Sequence, residues 1–172
     1  MSDQETLRDH TIALTVADHP GVLSKITSLI TRRGFNIDSI AAGPTTGKGL
    51  FRLTIIVKGD DQGVEQIQKQ LNKLIETVKV VPIHPSRKVE REIGLIKLKV
   101  SAGKRGEVVQ VISAFKGEIL DSGPGGFIVE VTGESEKIDS FLGMFQPQEI
   151  SEVARTGIVA MDKWEKNGTP KA

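Results

Sequence analysis

The sequence contains no cysteine and no tyrosine, and it has a single tryptophan among its 172 residues. Without cysteine there is no disulfide framework, no thiolate nucleophile and no thiolate ligand for zinc. Aromatic residues make up only 4% of the chain, so its interior has to be built mainly from valine, isoleucine and leucine. The absence of cysteine fits a reducing compartment, and we expect a cytoplasmic protein.

The chain also lacks an excess of charge of one sign and any long apolar run. Its 23 basic and 22 acidic residues give a net charge of +1, which argues against a nucleic-acid partner. The N-terminal residues are polar, unlike a signal peptide. No apolar run approaches the roughly 20 residues that cross a bilayer. We therefore expect neither nucleic acid nor a membrane as a partner.

The first half of the chain alternates between strand and helix patterns. Residues 11–16 alternate apolar and polar side chains as in a strand, and residues 22–30 repeat apolar side chains with the period of a helix. Two further strands flank a glycine-rich turn over residues 43–49, which predicts a hairpin. After a second helix, the last strand contains Pro82, which cannot donate a ladder hydrogen bond, so this strand is expected at a sheet edge.

The second half repeats the same βαββαβ order and ends in a predicted strand over residues 150–159. The fold class is therefore α+β, with two tandem ferredoxin-like domains. Domains of this size expose sheet edges that copies of the chain can cover, so we expect a homodimer or a larger assembly. The predicted division is a first domain at 9–84, a linker at 85–91, a second domain at 92–163 and a polar tail at 164–172.

The segment Asp18-His19-Pro20-Gly21 lies between the first strand and the first helix. The free amides and the positive dipole end of a helix can bind a carboxylate there, and Gly21 lets a ligand approach the backbone. The Asp18 carboxylate could receive an ammonium group, so the turn suits an amino acid. The alternative, which the residues alone favour, is a plain helix start in which Asp18 caps the helix.

Other chemically suggestive residues favour structural roles. The glycine-rich run 43–49 departs from a phosphate-binding loop in its spacing, and a strand follows it instead of a helix. His10, His19 and His84 have no metal-ligand spacing, and no nucleophile has a recognisable base nearby. Asn36 could bond a ligand, or it could simply tolerate a tight turn. We predict no catalytic residue and no metal site on this chain.

Four segments of the chain are characteristic of one known family. In chain order they are PGVLSKITSLITRRGFNIDSI, QLNKLIETVKV, VEREIGLIKLKV and ISEVARTGIVAM. They resemble the small regulatory subunit of acetolactate synthase, which is also called acetohydroxyacid synthase. The resemblance spans nearly the whole chain. The segments VEREIGLIKLKV and ISEVARTGIVAM are the most specific to this family, since many other amino-acid sensors share an Asp-x-Pro-Gly turn.

The resemblance implies that the first domain is an ACT domain that dimerises through its sheet edges and binds valine, or another branched-chain amino acid, between two protomers. A separate catalytic subunit would carry thiamine diphosphate, magnesium and FAD, while this chain would hold no cofactor. This chain would activate that subunit and make it sensitive to feedback inhibition. The implied effector residues are Asp18, Pro20, Gly21, Val22 and Leu23 of one protomer with Asn36 and Ile37 of the other.

Two alternative functions differ from this expectation. A stand-alone amino-acid sensor with two ACT domains, controlling a different enzyme or pathway, would be expected to repeat the ligand turn in its second half. The corresponding loop is Gly103-Lys104-Arg105-Gly106, which lacks that turn. A small ferredoxin-like hydrolase of acyl phosphates would need an arginine in the first loop, and residues 17–21 contain none.

Overall fold

The computed structural model of the chain describes residues 7–164. Its contacts divide them into two compact units. One is formed by the described residues up to Val89 together with those from Ile158 onward, and the other by Glu90–Gly157. Each unit has its own sheet and its own hydrophobic core. None of the helices between residues 7 and 164 is long and apolar enough to cross a bilayer.

The first unit contains β1 (Arg8–Ala17), α1 (Val22–Arg32), β2 (Ile37–Pro44), β3 (Leu50–Gly59), α2 (Asp61–Leu71) and β4 (Thr77–Ile83). Its strands form an antiparallel sheet in the order β2-β3-β1-β4. β4 therefore lies at an edge, as its Pro82 predicts. This strand order and the βαββαβ sequence of elements are those of a ferredoxin-like domain, which confirms the predicted fold.

One face of this sheet packs against the two helices and forms the first core. Successive side chains of a strand point to opposite faces, so every second residue of β1 turns inward. Each fully buried isoleucine or leucine stabilises the fold by about 1.5–3 kcal/mol. The buried residues of β1, α1 and α2 in this core are Ile12, Leu14, Val16, Val22, Ile26, Ile30, Val64, Ile67 and Leu71.

The second unit is built from β5 (Lys88–Lys99), which enters it at Glu90, followed by α3 (Arg105–Ala114), β6 (Glu118–Gly123), β7 (Gly126–Gly133), α4 (Ser135–Leu142) and β8 (Ile150–Arg155). Its strands are antiparallel in the order β6-β7-β5-β8. The core includes an aromatic cluster, in which the buried ring of Phe141 meets Phe115 and Phe145 edge-on at centroid distances of 5.4 and 5.1 Å. Such pairs contribute about 0.5–1.5 kcal/mol each beyond the area they bury.

A last strand, β9 (Val159–Asp162), belongs to the first unit and pairs with β5. Ala160 is 3% exposed and packs with Ala13 and Ile83, whose side chains lie on the sheet face opposite the helices. Two hydrogen bonds fix the strand there. The Arg52 guanidinium donates to the Ala160 carbonyl at 2.9 Å, and the Ile158 amide donates to the Ser39 hydroxyl at 3.0 Å.

The structure differs from the sequence prediction at the end of the second half. The single strand predicted over 150–159 is wrong, because β8 ends at Arg155 and Gly157 turns the chain with a φ of +76°. The contacts place the chain from Ile158 onward in the first unit, whereas the prediction assigned 92–163 to the second domain. The last residues of the predicted linker are part of β5. Residues 165–172 of the predicted tail lie outside the described residues.

Candidate functional site

The turn between β1 and α1 holds most of the predicted effector residues. Asp18 is exposed, and its amide donates to the carbonyl of Gly49, in the turn between β2 and β3, at 2.8 Å. Pro20 and Gly21 are exposed as well. Val22 is buried in the first core, whereas Leu23 is 47% exposed. A single chain therefore brings Asp18 to Leu23 together at one end of the sheet, with every residue of this segment exposed except Val22.

α1 begins directly after the exposed Gly21, and its Val22 amide donates to the His19 carbonyl at 3.4 Å. Gly21 is the residue that precedes the helix, and its φ of 90° lies in the left-handed region that favours glycine. The helix begins directly after this turn, as the alternative of a plain helix start predicts. The capping by Asp18 in that alternative is wrong, because no side chain among residues 7–164 caps α1. The amides of a first helical turn have no partner inside the helix, and they lie at its positive dipole end.

An ion pair beside this turn has no signal in the sequence, since its partners are far apart along the chain. Lys25 of α1 donates to the carboxylate of Glu76, whose side chain is 12% exposed. This hydrogen bond lowers the pKa of Glu76 from its ordinary value. The Glu76 carbonyl also accepts from the Ala17 amide at 2.8 Å. Glu76, in the loop before β4, therefore contacts both elements that flank the turn: the end of β1 through Ala17 and α1 through Lys25.

Asn36 and Ile37 lie at the other end of the same sheet. Ile37 pairs with Val57, which pairs with His10, whereas the turn begins after Ala17. These two positions are seven residue steps apart along β1, a distance of about 23 Å at the usual rise of a strand. Asn36 is exposed, and its amide donates to a carboxylate oxygen of Asp38 at 2.6 Å. A single protomer does not bring Asn36 and Ile37 to the turn.

The corresponding loop of the second unit has its cations engaged within that unit. The Arg105 guanidinium donates to the carbonyl of Gly123 at 2.8 Å and lies 4.2 Å from the ring centroid of Phe127. Lys104 pairs with Glu149 at 3.0 Å. Between residues 7 and 164, no group of three or more His, Asp or Glu side chains is placed to hold a metal ion.

Comparison with known families accounts for both halves of the chain. Residues 12–79 match the family described as the AHAS small subunit-like ACT domain, and residues 91–164 match the family described as the small subunit of acetolactate synthase. The chain belongs to the acetolactate synthase small-subunit family. This confirms the resemblance inferred from the sequence and the assignment of the first domain as an ACT domain.

Individual relatives of this small-subunit family agree over nearly their full length. The chain is 48% identical to a probable acetolactate synthase small subunit of Archaeoglobus fulgidus, over 91% of this chain and 98% of that protein. It is 39% identical to the acetolactate synthase small subunit of Mycobacterium bovis, over 95% and 98% of the two chains. The crystal structure of the acetolactate synthase small subunit from Thermotoga maritima superposes with a TM-score of 0.88 at 44% identity, covering 92% and 99%.

The two segments that are most specific to the small-subunit family meet in the second unit. Glu92 lies on β5, where its side chain is 5% exposed, and Arg155 at the end of β8 binds both of its carboxylate oxygens, at 3.0 and 2.5 Å. The Ser135 hydroxyl donates to the same carboxylate at 2.8 Å, and Arg155 also binds Asp139 at 2.6 Å. The hydrogen bond from Arg155 lowers the pKa of Glu92, and the one to Glu92 raises the pKa of Arg155.

Sequence reasoning did not single out this cluster, although a signal was present. Glu92 shares the inward register of β5 with Ile96 and Leu98, both of which are buried in the second core. A carboxylate in a buried register requires a partner, because an unpaired buried charge is strongly unfavourable. The missing information was the identity of that partner, which lies 63 residues away.

Proposed function

We propose that this chain is the regulatory subunit of acetolactate synthase, that it binds and activates a separate catalytic subunit in the cytoplasm, and that valine or another branched-chain amino acid acts through it as a feedback inhibitor. The observation that carries the proposal is the match of both halves to small-subunit families, over residues 12–79 and 91–164. In this proposal the chain itself is not catalytic. Thiamine diphosphate, magnesium and FAD belong to the catalytic subunit.

The β1–α1 turn has the chemistry that a bound amino acid needs. The first amides of α1 would bind the carboxylate of the effector, because they lie at the positive end of the helix dipole. The exposed carboxylate of Asp18 would receive the ammonium group through a charge-assisted hydrogen bond. The exposed side chain of Leu23 offers an apolar contact to the effector's side chain.

A dimer formed through β2 would complete this effector site. β2 is an edge strand, so a second copy can pair with it. Pro44, at the end of β2, pairs with Phe51, which also pairs with Val16, so this end of β2 lies on the side of the β1–α1 turn. If two β2 strands pair antiparallel along their full length, the partner's Ile37 would lie alongside Pro44. The partner's Asn36 and Ile37 would then approach the turn that they do not reach within one protomer.

The decisive experiment combines the purified chain with the acetolactate synthase catalytic subunit of the same organism. We expect the two to co-purify, the activity to rise on addition of this chain, and millimolar valine, leucine or isoleucine to reverse that rise. An unchanged activity would reject the regulatory assignment and favour a sensor that controls another enzyme. If activity rises but calorimetry shows none of the three amino acids binding, the chain is an activator without the sensor function.

A further inference from the structure

The chain passes between its two units twice, between Val89 and Glu90 and again between Gly157 and Ile158. The cluster around Glu92 lies a few residues from both crossings. Every contact of this cluster described above is made within the second unit. The structure thus places one group of side chains at both the entrance and the exit of that unit.

Several hydrogen bonds fasten the two crossing segments to each other. Arg155 binds Glu92 through two bonds, the Thr156 hydroxyl accepts from the Ile93 amide at 3.1 Å, and the Thr156 amide donates to the Ile93 carbonyl at 3.1 Å. Gly157 follows at once with a φ of +76°, a backbone conformation that side chains disfavour. Residues 155–157, at the end of the second unit, are therefore held in place by their partners on β5.

We expect the ion pairs of the cluster to restrict the relative positions of its side chains more than they raise the free energy of unfolding. Replacing a buried ion pair by apolar side chains of similar volume is often neutral or even stabilising, because the pair has to be removed from water. A bidentate pair between a guanidinium and a carboxylate nevertheless allows only a narrow range of relative positions. Arg155 also binds Asp139 of α4, so its position is shared among three elements of the unit.

We propose that Glu92 and Arg155 are positioning residues that couple the effector-bound state of the first unit to the second unit, by holding the two crossing segments in one register. This inference rests on the proposed function, since it requires an effector that binds the first unit. Coupling of this kind requires that the second unit has two states whose free energies differ, and that effector binding to the first unit changes this difference. Weaker hydrogen bonds between Glu92 and Arg155 would reduce that change. The variants Glu92→Gln and Arg155→Lys weaken the pairing between these two residues while keeping similar side-chain volumes.

The test measures amide hydrogen exchange of the full-length chain with and without saturating valine. In the natural chain we expect valine to slow exchange both before residue 90 and within residues 90–157. In both variants the effect before residue 90 should persist, with a valine Kd within about twofold of the natural value, while the effect within 90–157 falls at least roughly twofold. With the catalytic subunit added, the maximal inhibition by valine should fall in parallel.

The control variant is Glu149→Gln, which removes the negative charge that pairs with the exposed Lys104 in the same unit. It should leave both exchange effects unchanged. All four chains are compared at a temperature where circular dichroism shows them folded. The inference is overturned if valine slows exchange within residues 90–157 as much in Glu92→Gln and Arg155→Lys as in the natural chain. It is also overturned if these two variants lose valine binding itself, or if Glu149→Gln reduces the effect within 90–157 equally. Where the natural chain does not bind valine, the same comparison is made with leucine or isoleucine. A natural chain that binds none of the three amino acids would instead overturn the feedback part of the proposed function, and this inference with it.

Discussion

Arg155 reaches from the end of β8 to Glu92 on β5 and occupies both oxygens of a carboxylate that is only 5% exposed. Removing one partner of such a pair leaves an uncompensated buried charge. We expect Arg155→Met to lower the free energy of unfolding by about 3 kcal/mol. The double variant Glu92→Met, Arg155→Met should recover most of that loss, because no charge then remains buried. Urea unfolding of both single variants and the double variant gives the coupling energy directly.

The exposed pair between Lys104 and Glu149 is the reference for this comparison. Exposed pairs contribute about 0–1 kcal/mol, so Lys104→Met should have little effect. If Arg155→Met lowers the free energy of unfolding no more than Lys104→Met does, the Glu92 carboxylate binds water or another partner when Arg155 is absent.

The Glu92 cluster should also impose a pH dependence on stability. The pKa of Glu92 is lowered in the folded chain, first by the hydrogen bond from Arg155 and also by the Ser135 hydroxyl and the Gly157 amide. Its contribution is therefore fully present above the ordinary glutamate pKa of 4.5, and it is lost as the pH falls through the lowered value.

The measurement is the difference in unfolding free energy between the natural chain and Glu92→Gln, determined by urea unfolding at several pH values. We expect a constant difference near neutral pH and a shrinking one below the ordinary pKa of glutamate. A difference that grows on acidification would mean that Glu92 is protonated more readily in the folded chain, contrary to its pairing with Arg155.

Gly126, in the hairpin of the second unit, has no room for a side chain. A Cβ at this position would lie 1.8 Å from the carbonyl oxygen of Leu98, and the φ of +150° is strained for any other residue. Gly126→Ala should therefore cost at least about 3 kcal/mol, since both the backbone and its neighbour have to shift. Gly123, in the same hairpin, has nothing within 4 Å of a Cβ and serves as the control. The measurement is the melting temperature of Gly126→Ala and of Gly123→Ala. Equal melting temperatures would contradict the prediction.

The strand and helix order was predictable from the sequence because side-chain periodicity reflects local backbone geometry. Ile12, Leu14 and Val16 alternate with the period of a strand, and they are buried as expected. The expectation that only this face is buried is wrong, because Thr11 and Ala13 on the opposite face are buried as well. The edge position of β4 followed from Pro82, a property of a single residue. The return of β9 to the first unit was not predictable in this way, because it depends on a turn at Gly157 and on tertiary contacts of Ala160.

The candidate site likewise has one part that was predictable from the sequence and one part that was not. The turn from Asp18 to Gly21 was visible as a short motif, but its fastening by Lys25 and Glu76 joins residues 51 positions apart. The partner of Glu92 was hidden for the same reason. Periodicity shows which side chains turn inward, whereas the identity of a distant polar partner depends on the complete fold.

Asp18 carries the prediction that most directly tests the effector chemistry. Asp18→Lys places a cation where the ammonium group of the effector would bind, so the affinity for valine should fall at least about tenfold, or about 1.4 kcal/mol. Activation of the catalytic subunit should persist. Titration calorimetry and activity measurements check the two parts separately. The charge-matched control is Glu107→Lys on α3 of the second unit, which should bind valine like the natural chain.

The last prediction concerns the separation of Asn36 from the β1–α1 turn within one protomer. If each effector site combines Asp18 of one protomer with Asn36 of its partner, Asp18→Lys and Asn36→Ala should each abolish tight valine binding in a pure homodimer. A mixed dimer of these two variants places the intact Asp18 of one chain opposite the intact Asn36 of the other. It therefore regains one working site.

Refolding an equal mixture of the two variants should produce about half mixed dimers and restore about one quarter of the valine sites, as counted by calorimetry. The unmixed variants, carried through the same refolding, provide the baseline. If both residues instead served a site within one chain, every chain in the mixture would carry a lesion and no site would return. The recovered fraction thus distinguishes a site shared between two protomers from one that a single protomer completes by a rearrangement of about 23 Å along β1.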